Sequence, residues 1–166
     1  MYKSITSALF VLFVLILPSH VDAQKWTKYT SPAAGFTIKL PAEPSLVENK
    51  DESIQSEKYK LTHSEMSFIA SASIHELAID DPSLTKVSID AFRDQLGAEI
   101  ITEETWKVKK KEGKFAAMSI PDSDAKCHYY ILMDGYTQYQ FVIVGLWDNW
   151  DEKLAKKFIK SVRIKK

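Results

Sequence analysis

Cys127 and His128 are adjacent and carry the residue types of a thiol nucleophile and its general base. A catalytic thiol needs that base within hydrogen-bond distance, about 3 Å. Residues 127–133 have the composition of a β-strand, and neighbouring strand residues point to opposite faces of a sheet. The pair therefore predicts a buried strand cysteine and no catalytic dyad, unless His63 or His75 approaches Cys127 from elsewhere in the fold.

The run from His75 to Asp81 holds one histidine and three carboxylates, Glu76, Asp80 and Asp81. Hard cations need several oxygen ligands that converge on one point, and this run lacks the spacing and the glycine turn of a calcium loop. It is typical of a polar strand end followed by a helix cap. We expect no metal site here. Catalytic elbows and glycine-rich phosphate loops are also absent from the sequence, so we expect neither a cofactor nor enzyme activity.

Two features could contact a partner protein. The run WKVKKKEGK, residues 106–114, places five lysines around a hairpin turn. Clustered positive charge steers anionic partners, but lysines on an exposed hairpin also protect a sheet edge from aggregation. Trp147 and Trp150 flank the start of the last helix, where tryptophan marks an interface or packs as a hydrophobic staple. Both interpretations stay open, and the candidate partner surface comprises Lys107, Lys109, Lys110, Lys111, Trp147 and Trp150.

An N-terminal segment precedes the elements that must position these side chains. Lys3 supplies a positive start, and residues 8–17 are an unbroken run of ten apolar residues that ends at Pro18. Ten helical residues rise only about 15 Å, whereas a hydrocarbon core is roughly 30 Å thick. The run predicts a secretory signal over residues 1–23, cleaved after Ala23, and hence a periplasmic or extracellular protein with no stable membrane span. An uncleaved anchor that recruits residues 5–8 is the alternative.

The remaining residues, 24–166, are expected to form one domain, because they contain no linker and no repeat. Cys127 is the only cysteine of the chain, so its stability must come from apolar packing without an intramolecular disulfide. The chain contains 22 basic and 22 acidic residues. A neutral chain lacks the positive field that phosphate backbones require, so we expect no nucleic-acid partner.

Period-two patterns predict an entry strand and three hairpins. The entry strand covers residues 36–40 and is stopped by Pro41 and Pro44. The hairpins pair 54–62 with 66–74 through Ser64-Glu65, 100–108 with 115–120 through Glu112-Gly113, and 127–133 with 136–146 through Asp134-Gly135.

Two of these strands carry further information. In the 66–74 strand, serines at positions 67, 71 and 73 alternate with apolar residues, which predicts one solvated face. The 136–146 strand contains the nearly apolar run YQFVIVGLW, which predicts a central strand covered on both faces. Such a strand needs helices on both sides of the sheet, or a helix opposite a layer of loops.

Two helices are predicted, over residues 83–96 and about 150–161. Asp81 or Ser88 could cap the first, and Gly97 suits the residue that follows its end. Asn149 with Glu152 fits the cap of the second, and a short strand at 162–164 follows. The resulting fold class is α+β, with a single antiparallel sheet and helices packed on its faces.

Four stretches of the chain resemble secreted and envelope proteins with the PsbP/Mog1/DcrB-like fold. In order, they are W-x-x-YTSPAAGFTIKLPAEP, SIDAFRDQL, YYILMDGYTQYQFVIVG and AKKFIKSVRI, and the likeness extends from Trp26 to Ile164. The resemblance implies an αβα sandwich. Most members are uncharacterised, and the better known ones are accessory or binding proteins: some attach to photosystem II, and one binds a small GTPase. No stretch here matches the photosystem-docking N-terminal region, so photosynthesis is not inferred.

The expected function is therefore that of a non-catalytic exported protein that binds an envelope protein or assists an assembly. The alternative is a protein that binds a small ligand or a metal, or a hydrolase-like enzyme with an unrecognised site. An exposed apolar or aromatic patch would favour the first class, and a concave pocket with converging titratable groups would favour the second.

Overall fold

The computed structural model describes residues 25–51, 54–79 and 81–165. The expected signal sequence, residues 1–23, its cleavage point and Asp80 lie outside these residues. The strands are β1 (Thr27–Thr30), β2 (Phe36–Leu40), β3 (Ser45–Lys50), β4 (Ile54–His63), β5 (Met66–His75), β6 (Glu99–Val108), β7 (Lys111–Ile120), β8 (Ala125–Asp134), β9 (Thr137–Leu146) and β10 (Arg163–Ile164). The α-helices are α1 (Pro82–Leu96) and α2 (Glu152–Ser161). No helix in this part of the chain is long and apolar enough to cross a membrane.

Seven strands form one antiparallel sheet in the order β3-β4-β5-β9-β8-β7-β6. Strand β9 is the middle strand, as its apolar sequence predicts. Phe141 and Ile143 join the core on one face of the sheet, whereas Val142 joins the core on the other face. The α+β class and the sandwich architecture are confirmed.

Helix α1 covers one face of this sheet, over β7 and β8. Ile89 is fully buried there, and Phe92 stacks on Tyr129 with ring centroids 4.2 Å apart. Asp81 is the N-cap, because its carboxylate accepts a hydrogen bond from the Ser83 amide at 2.8 Å. Gly97 ends the helix with φ of 59°, as expected for a left-handed cap.

The other face is covered by α2 and by a second, three-stranded sheet in the order β1-β2-β10. The sequence predicted a single sheet that includes β2, whereas the structure places β2 in a second, smaller sheet. Pro41 and Pro44, which lack a backbone donor, interrupt the chain between β2 and β3. Phe36 in β2 and Phe158 in α2 are fully buried and fill the space between the layers.

The turn before β2 is anchored to the large sheet by polar contacts. The Ser31 hydroxyl donates to the buried carboxylate of Glu57 and accepts from the Ala34 amide. The Tyr139 hydroxyl donates to the Ala34 carbonyl at 2.9 Å. Gly35 has φ of 70°, which a residue with a side chain rarely adopts. These contacts fix where β2 begins.

Two of the three predicted turns are shifted. The β6–β7 turn consists of Lys109 and Lys110, three residues before the predicted Glu112-Gly113. Gly113 lies inside β7, where a Cβ atom would stand 2.2 Å from the Ile131 carbonyl oxygen. A glycine is therefore needed here because the neighbouring strand approaches closely, and not because the chain turns. In the β8–β9 turn, Gly135 has φ of 62° and Asp134 is still paired.

The remaining turn, Ser64-Glu65, is as predicted, with φ of 48° and 61°. The predicted solvated face of β5 is wrong at Ser71, which is only 8% exposed. Strand β5 lies between β4 and β9, and Ile69 on the serine face packs against the core under α1. Both faces of β5 are therefore largely covered.

The cap of α2 also differs from the prediction. Asp151, and not Asn149, is the N-cap, and its carboxylate accepts from the amides of Lys153 and Leu154 at 2.8 and 3.0 Å. Asn149 lies in a short 3-10 helix that precedes α2. Glu152 therefore turns away from the cap and accepts from the Trp150 indole nitrogen at 2.8 Å.

Candidate functional site

A groove of about 870 Å³ runs between α2 and the outer face of the three-stranded sheet. We call it the basic groove. Trp26, Thr37 and Ser161 contribute its uncharged lining, and no carboxylate lines it among the residues that the structure describes. Its seven cationic side chains are those of Lys28, Lys39, Lys153, Lys156, Lys157, Lys160 and Arg163.

The sheet side of the groove follows from strand alternation. Ile38 and Leu40 point into the core, so Lys39 points outward, and Lys28 lies directly opposite it on β1. The Lys39 amide donates to the Ser161 hydroxyl at 2.9 Å, which ties β2 to the end of α2. Backbone hydrogen bonding thus holds the two walls of the basic groove in register.

The helix side follows from the face that α2 buries. Ala155 and Phe158 pack into the core, so the lysines of α2 remain on its solvent side. Lys156 pairs with Glu152 at 3.4 Å, and Lys157 lies over the Trp26 ring, 4.5 Å from its centroid. Among the described residues, Lys153 and Lys160 have no ion-pair partner.

The C-terminal end of α2 holds the last cation in place. Nη1 of Arg163 donates to the carbonyls of Lys160 and Val162, both at 2.7 Å. Cations are favourable near the negative end of a helix dipole. Arg163 is therefore oriented by the backbone, and no carboxylate of the described residues neutralises its charge.

The basic groove is electrostatically unfavourable for the isolated fold. Like charges directly opposite each other on antiparallel strands, such as Lys28 and Lys39, destabilise a sheet by up to about 1 kcal/mol. Screening weakens but does not remove repulsion between charges closer than the Debye length, about 8 Å in physiological salt. An anion in the groove would relieve this repulsion, so the arrangement favours anion binding.

The predicted lysine hairpin extends this positive surface. Lys107 and Lys109 line a smaller concavity of about 420 Å³ together with Lys160 and Arg163. Lys110 is exposed in the turn itself. Lys111 instead pairs with Asp134 at the neighbouring β8–β9 turn. Of the four hairpin lysines in the candidate partner surface, Lys107 and Lys109 thus adjoin the basic groove.

The two predicted tryptophans lie at the opposite end of α2, before its first residue. Trp147 is 42% exposed, and Trp150 is half-buried with its ring centroid 4.6 Å from that of His128. Lys126 Nζ lies 5.4 and 4.7 Å from their respective ring centroids. The six residues of the candidate partner surface therefore do not form one continuous site.

Cys127 and His128 point to opposite faces of β8, as strand alternation predicts. Cys127 belongs to the core under α1, and burial raises the pKa of its thiol to about 12. His128 faces the α2 side, where burial, followed by the charge of Lys126, lowers the pKa of its imidazole to about 4. The two groups cannot act on each other.

The run from His75 to Asp81 is held against the β8–β9 turn. The amides of His75 and Ile79 donate to the carbonyls of Tyr136 and Gly135, both at 2.8 Å. Asp81 is engaged as the cap of α1. No group of three or more metal-ligating side chains occurs in the described ranges.

Sequence reasoning missed most of the basic groove. Lys153, Lys157 and Lys160 have helical spacing and mark one face of α2, a pattern from which no site was predicted. Lys28 and Lys39 are more than 110 residues away from them in the chain. Only the antiparallel pairing of β1, β2 and β10 brings these segments together.

Comparison with known proteins was made at the level of sequence and of structure. No family model and no curated protein matches the chain. The solution structure of cyanobacterial PsbP (CyanoP) from Synechocystis matches it with a TM-score of 0.62 and 14% identity, over 91% of this chain and 99% of that chain. The chain has a PsbP-like fold. A crystal structure of a protein from Bacteroides thetaiotaomicron also matches, with a TM-score of 0.43 and 16% identity over 84% of this chain and 48% of that one.

The PsbP-like fold agrees with the resemblance noted in the sequence. At 14% identity, the likeness concerns the fold alone. The function must therefore be argued from the surface of this chain.

Proposed function

We propose that the chain is a non-catalytic accessory module of the cell envelope that docks through its basic groove on an acidic segment of a partner protein. The expected export of residues 24–166 supports the location. The sequence resemblance to accessory proteins supports the role.

One observation carries the docking function. The whole chain has equal numbers of basic and acidic residues, yet seven cations and no carboxylate line one groove in the described part of the chain. A random distribution of balanced charge would place opposite charges side by side, as on α1. Charge complementarity selects the partner and speeds its association.

The shape of the basic groove favours a protein segment over other anions. Lys39 and Lys157 project from two walls, so a protruding acidic segment inserted between them contacts both. A flat lipid surface would reach only the rims of the groove. A duplex nucleic acid would gain no long-range attraction from a chain of zero net charge.

The test uses a dye-labelled peptide of ten glutamates, with binding followed by fluorescence anisotropy at several salt concentrations. We expect saturable binding that weakens as salt rises. Changing Lys153, Lys157 and Lys160 together to glutamine should weaken binding about tenfold, since each lost contact contributes roughly 0.5 kcal/mol.

The matched control changes Lys50, Lys58 and Lys60 to glutamine. These exposed lysines lie on β3 and β4, outside the basic groove, and their loss changes the net charge by the same amount. The control should alter affinity less than twofold. Equal weakening by both triple variants would show unspecific attraction and overturn the docking site.

Two competing anions complete the experiment. Vesicles that contain an anionic phospholipid, and a short DNA duplex, are titrated against the same variants. Tighter, groove-dependent binding to either one would contradict the assignment of an acidic protein segment.

Export is tested separately by mass spectrometry of the secreted protein. The signal-like sequence predicts Gln24 as the first residue. Recovery of the chain with Met1 would contradict cleavage of a signal and the envelope location that depends on it.

A further inference from the structure

A second concavity, which we call the aromatic cleft, opens between α2 and strands β6 to β8. Its volume is about 570 Å³, within the range of about 300 to 1,000 Å³ that is usual for small-molecule sites. Trp106, Phe115, Tyr130 and Trp147 line it. Tyr130 stacks on Phe115 with centroids 4.6 Å apart and meets Trp106 edge to face at 5.3 Å. The walls therefore present several aromatic rings held in fixed orientations.

His128 is a buried polar group that lines this cleft. It is 7% exposed and lies between Phe115 and Trp150, with ring centroids 5.1 and 4.6 Å away. Within the described part of the chain, its imidazole has no hydrogen-bond partner. Because burial lowers the pKa of His128 to about 4, the ring is neutral near pH 7 and offers one donor and one acceptor nitrogen.

Tyr130 supplies a second polar group to the same cleft. Its hydroxyl likewise has no hydrogen-bond partner among the described residues. Burial, followed by the charges of Glu152 and Glu104, raises its pKa, so the hydroxyl keeps its proton. Neither polar group is hydrogen-bonded to another described residue, so the His128 nitrogens and the Tyr130 hydroxyl are open to a ligand that enters the cleft.

Three charged residues at the rim, Lys126, Lys156 and Glu152, are engaged with each other, whereas the exposed Glu104 has no ion-pair partner among the described residues. Lys126 lies 3.9 Å from Glu152 and over the ring of Trp150. Lys156 pairs with the other oxygen of Glu152. The interior therefore offers aromatic faces and two neutral polar groups, which favours an uncharged ligand.

We propose that the aromatic cleft binds a neutral, planar aromatic molecule that carries a hydroxyl group, with His128 and Tyr130 making the polar contacts. The ligand hydroxyl donates to the imidazole acceptor nitrogen of His128. The Tyr130 hydroxyl donates to the ligand oxygen. This site is separate from the basic groove and does not depend on its function.

The test compares 2-naphthol with naphthalene, which has the same ring system but no hydroxyl. Binding is followed by the NMR signals of the His128 ring. We expect saturable shifts with 2-naphthol and an affinity at least about tenfold higher than for naphthalene, because a hydrogen bond in a desolvated cleft discriminates strongly. Equal affinities, or no saturable shift, would overturn the proposal.

The decisive variant is His128→Phe, which keeps a ring between Phe115 and Trp150 and removes both nitrogens. Binding of this variant is measured by calorimetry. It should bind the two compounds within about twofold of each other, whereas the matched control His63→Phe on β4 should keep the tenfold preference. An unchanged preference in His128→Phe would contradict the proposal.

Folding of each variant is checked by its urea midpoint. If His128→Phe does not fold, Tyr130→Phe provides the test, because it removes only the second polar contact and should reduce the preference for 2-naphthol. No reduction would overturn the proposal. Binding of the glutamate peptide should be unchanged in Tyr130→Phe, so failure of one site is distinguishable from failure of the other.

Discussion

Helices α1 and α2 cover opposite faces of the seven-stranded sheet, but they differ in packing and in charge. Under α1, Tyr129 is fully buried in a closed core; on the α2 side, the next residue, Tyr130, borders an open cleft. On α1, Arg93 is paired with Asp90 and Asp94 at 3.0 and 2.7 Å. Helix α2 carries four lysines and one glutamate.

This difference coincides with the positions of the two proposed binding sites, which both lie on the α2 side. The α1 side has a closed core and paired surface charges, and the buried Tyr129 hydroxyl there has no hydrogen-bond partner among the described residues. The α2 side combines a cleft lined by two polar groups that are open to a ligand with a groove of clustered cations, whose mutual repulsion lowers stability in the absence of a partner. The proposal thus places binding on one face of the sheet and the closed core on the other.

The largest expected effect comes from comparing neighbouring tyrosines of β8. Tyr129→Ala should lower the free energy of unfolding by about 4 kcal/mol, because it leaves a cavity in the closed core. Tyr130→Ala should lower it by about 1 to 2 kcal/mol, since that ring already borders open space. Urea unfolding of both variants measures the difference, and equal losses would mean that the two sides are packed alike.

The largest pH effect between pH 6.5 and 4 should come from the α2 side. The folded-state pKa of His128 is depressed to about 4, so the unfolded chain binds one more proton between roughly pH 6.5 and 4. The contribution of neutral His128 to the free energy of unfolding is therefore fully present above about pH 6.5. It is lost as the pH falls toward 4, by as much as about 3 kcal/mol. Lys126 and Glu152 face the ring, and Glu104, Tyr130 and Lys156 line the rest of the cleft.

To test this effect, the pH dependence of urea unfolding is measured for the unmodified protein and for the His128→Phe variant. Its stability should fall less between pH 6.5 and 4 than that of the unmodified protein. Parallel curves would show that other groups cause the loss.

A smaller effect is expected for Cys127 on the closed side. Cys127→Ser should destabilise by about 2 kcal/mol, because a buried hydroxyl replaces a thiol in an apolar core. Binding at the groove and the cleft should be unchanged.

In the unmodified protein, the high pKa and burial of the thiol predict no reaction with a disulfide reagent at pH 8 until urea unfolds the chain. Rapid reaction of the native protein, or loss of binding without unfolding, would contradict this assignment.

The smallest effect concerns surface charge and should differ in sign between the two sides. Lys39→Gln should raise the free energy of unfolding by at most about 0.5 kcal/mol, because it relieves repulsion from Lys28. Asp90→Asn on α1 should lower stability, because Lys86 loses its partner and Arg93 loses one of its two. Both changes should shrink in 1 M salt, as measured by urea unfolding. If both variants changed the free energy of unfolding in the same direction, the inferred difference in surface charge between the two sides would be contradicted.

Local sequence patterns predicted the strands and helices well wherever a buried face imposes periodicity. The central position of β9 follows from its apolar sequence, and both helices follow from their apolar stripes. Strands β1 and β3 were not predicted, because their side chains are largely exposed and carry no alternating pattern. Glycine was misleading at Gly113, where a neighbouring carbonyl and not a turn excludes a side chain.

The candidate sites were less accessible to sequence reasoning than the fold. The net charge of zero gives no indication of the basic groove, because its cations come from four separate elements, β1, β2, α2 and β10. Strand alternation correctly separated Cys127 from His128, but it could not show that His128 faces a cleft formed by residues from β6, β7, β8 and α2. Both sites depend on contacts between segments that are distant in the chain.

The pairing of β2 with the late strand β10 also has a consequence for the order of events during biosynthesis. Lys28 and Lys39 are made long before Arg163, and a chain is synthesised from its N-terminus. An emerging polypeptide therefore displays only scattered lysines and acquires its concentrated anion receptor when the final segment docks. Under the proposed docking function, a partner would therefore distinguish finished molecules from incomplete ones.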